Sequence, residues 1–317
     1  MDKKYDVLVV GELNVDLIFD KLGDKLPEVG KEIFADEMIL TLGSSSAILA
    51  ANLSTLGPRV SFIGKIGKDS FADLVLTSLE SKGVDTSSII QSPEHKTGIT
   101  VACSYGNDRA MVTHPGAMNH LTIKDITTEK LEQAKHMHMS SVFFQPGLKP
   151  DIAELFKRAK EIGLSTSFDP QWDPNEKWDV DLKALLPYVD VFLPNIEEIK
   201  FMTNTQSRDK ALESLADYAN IIIVKDGENG SFLWSKNEQI NQSIFTNPNI
   251  VDTIGAGDSF NSGFISKFIE KQPLKKCTEF GALTGAINTT SAGGTTAFSS
   301  LKDVKEIASN RFNFEIV

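Results

Sequence analysis

Apolar runs of strand length alternate along this chain with segments of helical periodicity, and no other feature limits the fold as much. "DVLVVGEL" (6–13) is nearly continuous in apolar residues, as a strand buried on both faces must be. "VSFIGKIG" (60–67), "HMHMSS" (136–141), "STSFD" (165–169), "VDVFLPN" (189–195) and "NIIIVKDG" (220–227) follow. Between them, "SAILAANLSTLG", "SFADLVLTSLESKG", "DIAELFKRAKEIG", "NIEEIKFMTN" and "DKALESLADYAN" carry apolar residues at helical spacing and end at Gly or Asn. Strand–helix alternation predicts an α/β fold, a parallel sheet covered by helices, with ligands beyond the C-terminal strand ends.

Two segments break the alternation. "LIFDKL" and "EIFADEMILTLG" are joined by a turn containing Pro and Gly, and "TGITVACSYGNDRAMVTH" reads as two strands around a "GND" hairpin. They predict a small separate β layer, a flap built from insertions at about 14–41 and 97–118 of one domain spanning 1–317. Ile18, Phe19, Ile33 and Phe34 would cover one another across a homodimer or pack over a ligand within one subunit. The net charge of −11 and the lack of a basic block argue against a nucleic-acid partner. No run approaches the roughly 20 apolar residues that span a bilayer. The two cysteines, Cys103 and Cys277, fit no disulfide framework or zinc signature, so a reducing, cytoplasmic setting is expected.

The candidate chemistry lies in "VDTIGAGDSF" (251–260). Gly255, Ala256 and Gly257 precede a helical run with Phe260, Phe264, Ile265 and Phe268 on one face. A helix start exposes unpaired N–H groups and a positive dipole end, and small residues let a phosphate approach them. Asp258 is a poor phosphate ligand there. Alone, the stretch admits a plain turn with a dipole-complementing Asp, or an anion hole beside a base. The second meets the needs of phosphoryl transfer: the carboxylate takes the acceptor's proton while the amides offset charge on the phosphoryl oxygens.

"DTIGAGDSF" resembles the C-terminal signature of the ribokinase (phosphofructokinase-B) family of carbohydrate kinases. "VVGELNVD", "LGSSSAILAANLSTLG", "FIGKIGKDSFADLVLTSLESKGVDT", "LPNIEEIKFMTN" and "IIIVKDGENGSFLW" are similar to further family stretches in the same order, over nearly the whole chain. The resemblance implies a three-layer α/β/α domain with a mainly parallel central sheet and a small β lid. It implies an ATP-dependent kinase acting on a hydroxyl of a small sugar, with Asp258 as base and Gly255, Ala256 and Gly257 as the anion hole. Asn14, Asp16, Gly43, Ser44, Ser45 and Asp169 would meet the sugar. Asn195 and Glu198 would order Mg²⁺ around the ATP phosphates, Glu198 through water. Lys225, Gly227 and Gly230 would border the nucleotide, Asn288 would lie near the adenine, and Asp252 could hold a monovalent cation such as K⁺.

One departure touches the substrate. The family's paired glycine and later Asn align with Gly43, Ser44 and Ile48, while Asn52 falls one helical turn further on. Ser44, Ser45 and Ser46 offer hydroxyls in place of the missing amide, which keeps a nucleoside acceptor open beside a sugar. A sugar-binding protein without activity is the reading from another class, and the intact Asp258 and Asn195/Glu198 pair speak against it. Elsewhere the plainer readings are preferred. His136 and His138 lack a third ligand and are expected as packed histidines. "GKIGKDS" lacks the spacing of a phosphate-binding P-loop. Trp172 and Trp178 are expected in a structural loop, and Cys103 within a strand. For Arg109 and "HPGAMN" (114–119), facing the substrate and simple hairpin decoration are equally good.

Overall fold

The computed structural model describes residues 3–22, 28–105 and 108–316. The proline of the turn within 14–41 and Gly106–Asn107 of the "GND" hairpin lie outside the described residues.

The main sheet has eight strands, in the order Gln239–Gln242, Ser231–Ser235, Ile221–Lys225, Val191–Phe192, Ser165–Asp169, Ala134–Ser140, Tyr5–Val10 and Val60–Ile63. From Ile221–Lys225 to Val60–Ile63 every pairing is parallel; the last two strands run antiparallel. The alternation of side chains sorts the sheet's residues between two cores. Leu8, Val10, Met137, Met139, Phe168, Phe192 and Ile222 pack with the helix Ile152–Glu161 and its neighbours. Val7, Val9, Val191, Leu193, Ile223 and Leu233 pack on the opposite face with the helices Ser45–Thr55 and Ala256–Ile269. The result is helix, sheet and helix in three layers.

Two apolar runs are cut short. "VSFIGKIG" divides at Gly64, where a Cβ would meet the Gly11 carbonyl at 2.9 Å; Lys65–Ile66 leaves the main sheet to pair with Ile90–Gln91. Only Val191–Phe192 of "VDVFLPN" is strand. Pro194 has no N–H for a ladder, and Asn195 already caps the next helix.

Four strands, Glu37–Leu42, Asn14–Asp20, Gly98–Tyr105 and Asp108–His114, make a second sheet. Asp16, Thr100 and Thr113 fall in one row across it, on one face. Phe34 (84% exposed), Met38 (64%) and Val112 (74%) leave apolar surface on this part of the chain. Among the described residues no helix is long and apolar enough to cross a membrane.

Candidate active site

The C-terminal edge of the main sheet meets the start of the helix Ala256–Ile269, and most of the candidate residues converge there. Gly255 caps that helix at φ 75°, and a Cβ on it would come within 2.8 Å of the Gly294 Cα, so the turn needs glycine on both counts. Ala256 differs from expectation. Its N–H turns back to the Thr253 carbonyl (3.2 Å) instead of pointing outward. Asp252 accepts from the Ile254 N–H on one oxygen and from the Gly293 N–H on the other, both at 2.9 Å, and so ties two loops together. Asn288 lies behind the same turn. It is fully buried, donates to the Ile254 carbonyl (2.6 Å) and accepts from the Ser259 hydroxyl (3.0 Å), so its amide braces the glycine turn.

Asp258 sits in the first turn of the helix and is 6% exposed. Gln171 donates its side-chain amide to Asp258 Oδ1 (2.9 Å), and the Ser45 side chain also bonds to it. Burial, then the like charge of Asp169, pushes the Asp258 carboxyl well above the usual carboxylate range; Lys225 and the Ser45 bond pull it back only in part. A carboxylate so placed is a stronger proton acceptor than one in water.

Asp169, fully buried at its strand end, is the hub of the cluster. Its Oδ2 accepts from Lys225 Nζ (2.6 Å), from the Asn261 amide and from Gln171 (3.2 Å), while Oδ1 takes the Gln171 N–H (3.1 Å). Lys225 stands inside the carboxylate cluster. Burial pulls its pKa down, but Asp169, Glu198 and Asp258 together carry it above the ordinary lysine value. Gly227 (φ 50°) and Gly230 (φ 88°) turn the chain between Ile221–Lys225 and Ser231–Ser235, and a Cβ on Gly230 would collide with the Gln242 carbonyl.

On the acceptor side, Asp16 is held by the Asn14 amide (3.1 Å), which also reaches Thr100 (3.0 Å) on the neighbouring strand. Asn14 thus orients Asp16 with its amide. Gly43 is required because a Cβ would run into the Asp16 carboxylate. Burial lifts the Asp16 carboxyl to about 6, against the pull of Asn14 and Arg109. The serines depart from expectation. Ser44 caps the helix Ser45–Thr55 and gives its hydroxyl to Glu12, to the backbone carbonyl (2.6 Å) and to the carboxylate (3.1 Å). Ser46 gives Glu12 both its hydroxyl and its N–H. Glu12, buried and pushed upward by burial, claims both hydroxyls; only Ser45 turns to Asp258.

Asn195 and Glu198 form a reciprocal cap on the helix Ile196–Thr203: the Asn195 N–H and amide donate to the two Glu198 oxygens (2.8 and 2.6 Å), and the Glu198 N–H donates to Asn195 Oδ1 (2.8 Å). Burial and the Asp169 charge raise Glu198 to about 7. Among the described residues no three His, Cys, Asp or Glu side chains are grouped to hold a metal directly. A hard cation held mainly by phosphate and water fits this chemistry, because Glu198 offers carboxylate oxygens beside the like charge of Asp169.

Gln171, Glu12 and Asn261 were not singled out from sequence. The signal for Gln171 was its place two residues after Asp169 at a strand end. His136 and His138 are packed histidines. Each is fully buried and bonded to two serines: Ser165 and Ser167 for His136, Ser167 and Ser140 for His138, at 2.7–2.8 Å. Trp172 and Trp178 lie in an aromatic group with Phe201, and Arg109 acts on Asp16 through its charge.

Comparison with known proteins identifies the family and the fold. The pfkB family carbohydrate kinase model matches residues 4–301. The chain is 26% identical to an ATP-dependent 6-phosphofructokinase of Thermoanaerobacterium thermosaccharolyticum, over 97% of this chain and 94% of that one. It is 25% identical to fructokinase-2 of Oryza sativa subsp. japonica, over 97% and 95%. Among solved structures, the fold is shared with Arabidopsis thaliana ribokinase complexed with ribose and ATP (TM-score 0.82, 23% identity, 96% of this chain and 98% of that one). It is also shared with adenosine kinase from Sinorhizobium meliloti (TM-score 0.80, 22% identity, 93% and 98%).

Proposed function

The chain belongs to the pfkB family of carbohydrate kinases, and from that premise we propose that it transfers the γ-phosphoryl group of ATP to a hydroxyl of a small, uncharged sugar or related polyol. The observation that carries this reading is Asp258, a buried carboxylate of raised basicity in the first turn of a glycine-capped helix. The acceptor hydroxyl loses its proton to Asp258 as it attacks. The helix start, with Gly255 and Gly257, offsets the charge on the phosphoryl oxygens. Glu198 and Asn195 would hold Mg²⁺ through water, and that ion would screen the ATP phosphates. The loops that Asp252 joins would flank a monovalent cation, read as K⁺ dependence of the rate.

An uncharged acceptor is supported by what lines its side of the site. Glu12, Asp16 and Asp258 are near enough to shift one another's protonation, directly or in sequence. Carboxylates accept hydrogen bonds from hydroxyls and repel a phosphate or a sugar acid. Asn14, Asp16, Gly43 and Ser45 would shape this pocket, and the four-stranded sheet would close over it as a lid that excludes water. The apolar surface at Phe34, Met38 and Val112 supports a homodimer through the lid, and the enzyme is placed in the cytoplasm with no nucleic-acid or membrane partner. A nucleoside acceptor is the second reading, because Ile48 stands where the family's signature carries an amide.

Asp258→Asn tests the reading. Phosphorylation should fall about 10²–10⁴-fold, the usual worth of a general base, while ATP binding by calorimetry survives; an unchanged rate refutes the role. ADP release across matched neutral sugars, sugar phosphates, sugar acids and nucleosides assigns the acceptor.

A further inference from the structure

Gln171 stands in a backbone conformation that glutamine seldom adopts, φ 57°, in a loop that repeats the departure at Glu176 (φ 53°) and Trp178 (φ 53°). Such strain persists only where the surroundings over-determine it. Here they do so in two ways. Asp173, 2% exposed, accepts the N–H groups of Asn175 (2.8 Å), Lys177 (2.9 Å) and Trp178 (2.8 Å) and closes the loop around itself. Trp178 then stacks on Phe201 (5.3 Å between centroids) and meets Trp172 edge-on (5.0 Å), which pins the loop to the helix that carries Glu198.

That rigid frame delivers one side chain into the carboxylate cluster. The Gln171 amide nitrogen lies 2.9 Å from Asp258 Oδ1 and 3.2 Å from Asp169 Oδ2, and its backbone N–H takes Asp169 Oδ1 at 3.1 Å. An amide donates two hydrogens, so one group can serve both carboxylates at once. We propose that Gln171 is the positioning residue of the base: it fixes the Asp258 carboxylate against Asp169 and favours its ionised form. The inference rests on the reading of Asp258 as the general base.

The consequence is specific. Asp258 is faced by Asp169 at the end of Ser165–Asp169, by Lys225 at the end of Ile221–Lys225, by Glu12 from the first strand's loop and by Ser45 from the facing helix. Of these, the two carboxylates disfavour its ionised form. A neutral amide donor to Oδ1 counters them without adding charge. Loss of that donor leaves the carboxylate held by Ser45 alone, less firmly oriented and harder to ionise, so both geometry and basicity change together.

Two substitutions separate this role from filling a turn. Asn tolerates positive φ better than Gln, so Gln171→Asn eases the backbone, but its amide is one methylene short of Asp258. Gln171→Met keeps the length and removes the donor. Both variants should lose about 10- to 100-fold in kcat, the range for a hydrogen bond to a charged group. Both should show an unchanged KM for ATP and an acidic limb of the kcat/KM profile displaced to higher pH. The Asn variant should unfold at close to the wild-type temperature. If the Asn variant keeps the wild-type kcat, or loses rate without moving the acidic limb, Gln171 does not act through Asp258 and the proposal falls. Asp258→Asn, measured alongside, tells the two failures apart: if it stays active, the base itself is misassigned.

Discussion

Replacing Lys225 by methionine removes the buried cation that pairs with Asp169, and its cost can be worked from the contact. The ammonium lies 2.6 Å from Asp169 Oδ2, with the two side chains 14% and 0% exposed. Removing one partner of a buried pair strands the other charge, which costs about 3–5 kcal/mol. An unfolding entropy of about 2.1 cal/mol/K per residue over 317 residues converts that loss to a fall of roughly 5–7 °C in Tm. The loss should depend on pH, with a definite sign. Without Lys225, the folded-state pKa values of Glu198 and Asp258 rise further above their unfolded values, because Lys225 lowers both in the native protein. A carboxylate with a raised folded pKa binds protons more readily in the native state, so stability falls as pH rises through that range. The penalty should be largest at about pH 8 and shrink by pH 5.5, at about 1.4 kcal/mol per unit for each proton taken up. Urea unfolding of both proteins at the two pH values measures it. A loss below about 1 kcal/mol at pH 8, against the expected 3–5, or an equal loss at both pH values, refutes the charge argument.

Burial lowers His136 and His138 each to about 3. Their contribution is therefore complete above the unfolded value of about 6.5 and is lost as pH falls, by about 1.4 kcal/mol per unit for each histidine. His138→Gln should remove about 1.4 kcal/mol per unit of that fall in urea titrations between pH 6.5 and 5; an unchanged slope would show that His138 is not what titrates. At the proposed dimer face, Phe34→Asp combined with Met38→Glu should shift the light-scattering mass from dimer to monomer, and a persistent dimer would move the interface elsewhere.

The fold was legible because its signal is repeated. Burial on both faces imposes continuous apolar runs on parallel strands, and six such strands with helices between them leave few architectures. The helix start was legible for a different reason: glycine at Gly255 answers a steric need that no other residue meets. What stayed hidden was the polar wiring. Nothing along the chain shows that the Ser44 and Ser46 hydroxyls are spent on Glu12, because a serine's partner is fixed by the packing of distant segments. Asn288 and Asn52 have the same history: each amide is consumed by a backbone carbonyl across the interior, Ile254 for one and Gly294 for the other.

The same argument explains why the carboxylates were named more readily than the groups that govern them. A charged residue at a strand end is a visible anomaly in an apolar pattern, since burying it is costly without partners. Its partners carry no such mark. Gln171 and Asn261 are neutral amides in polar or helical surroundings, yet they set the geometry of Asp169 and Asp258. Lys225 reads as the end of a strand, and only the converging strand ends show that it balances three acids. In a site of this kind the acids specify the chemistry. Burial, Lys225 and the donors around them bear on which acid is charged, and those partners become visible only once the chain is folded.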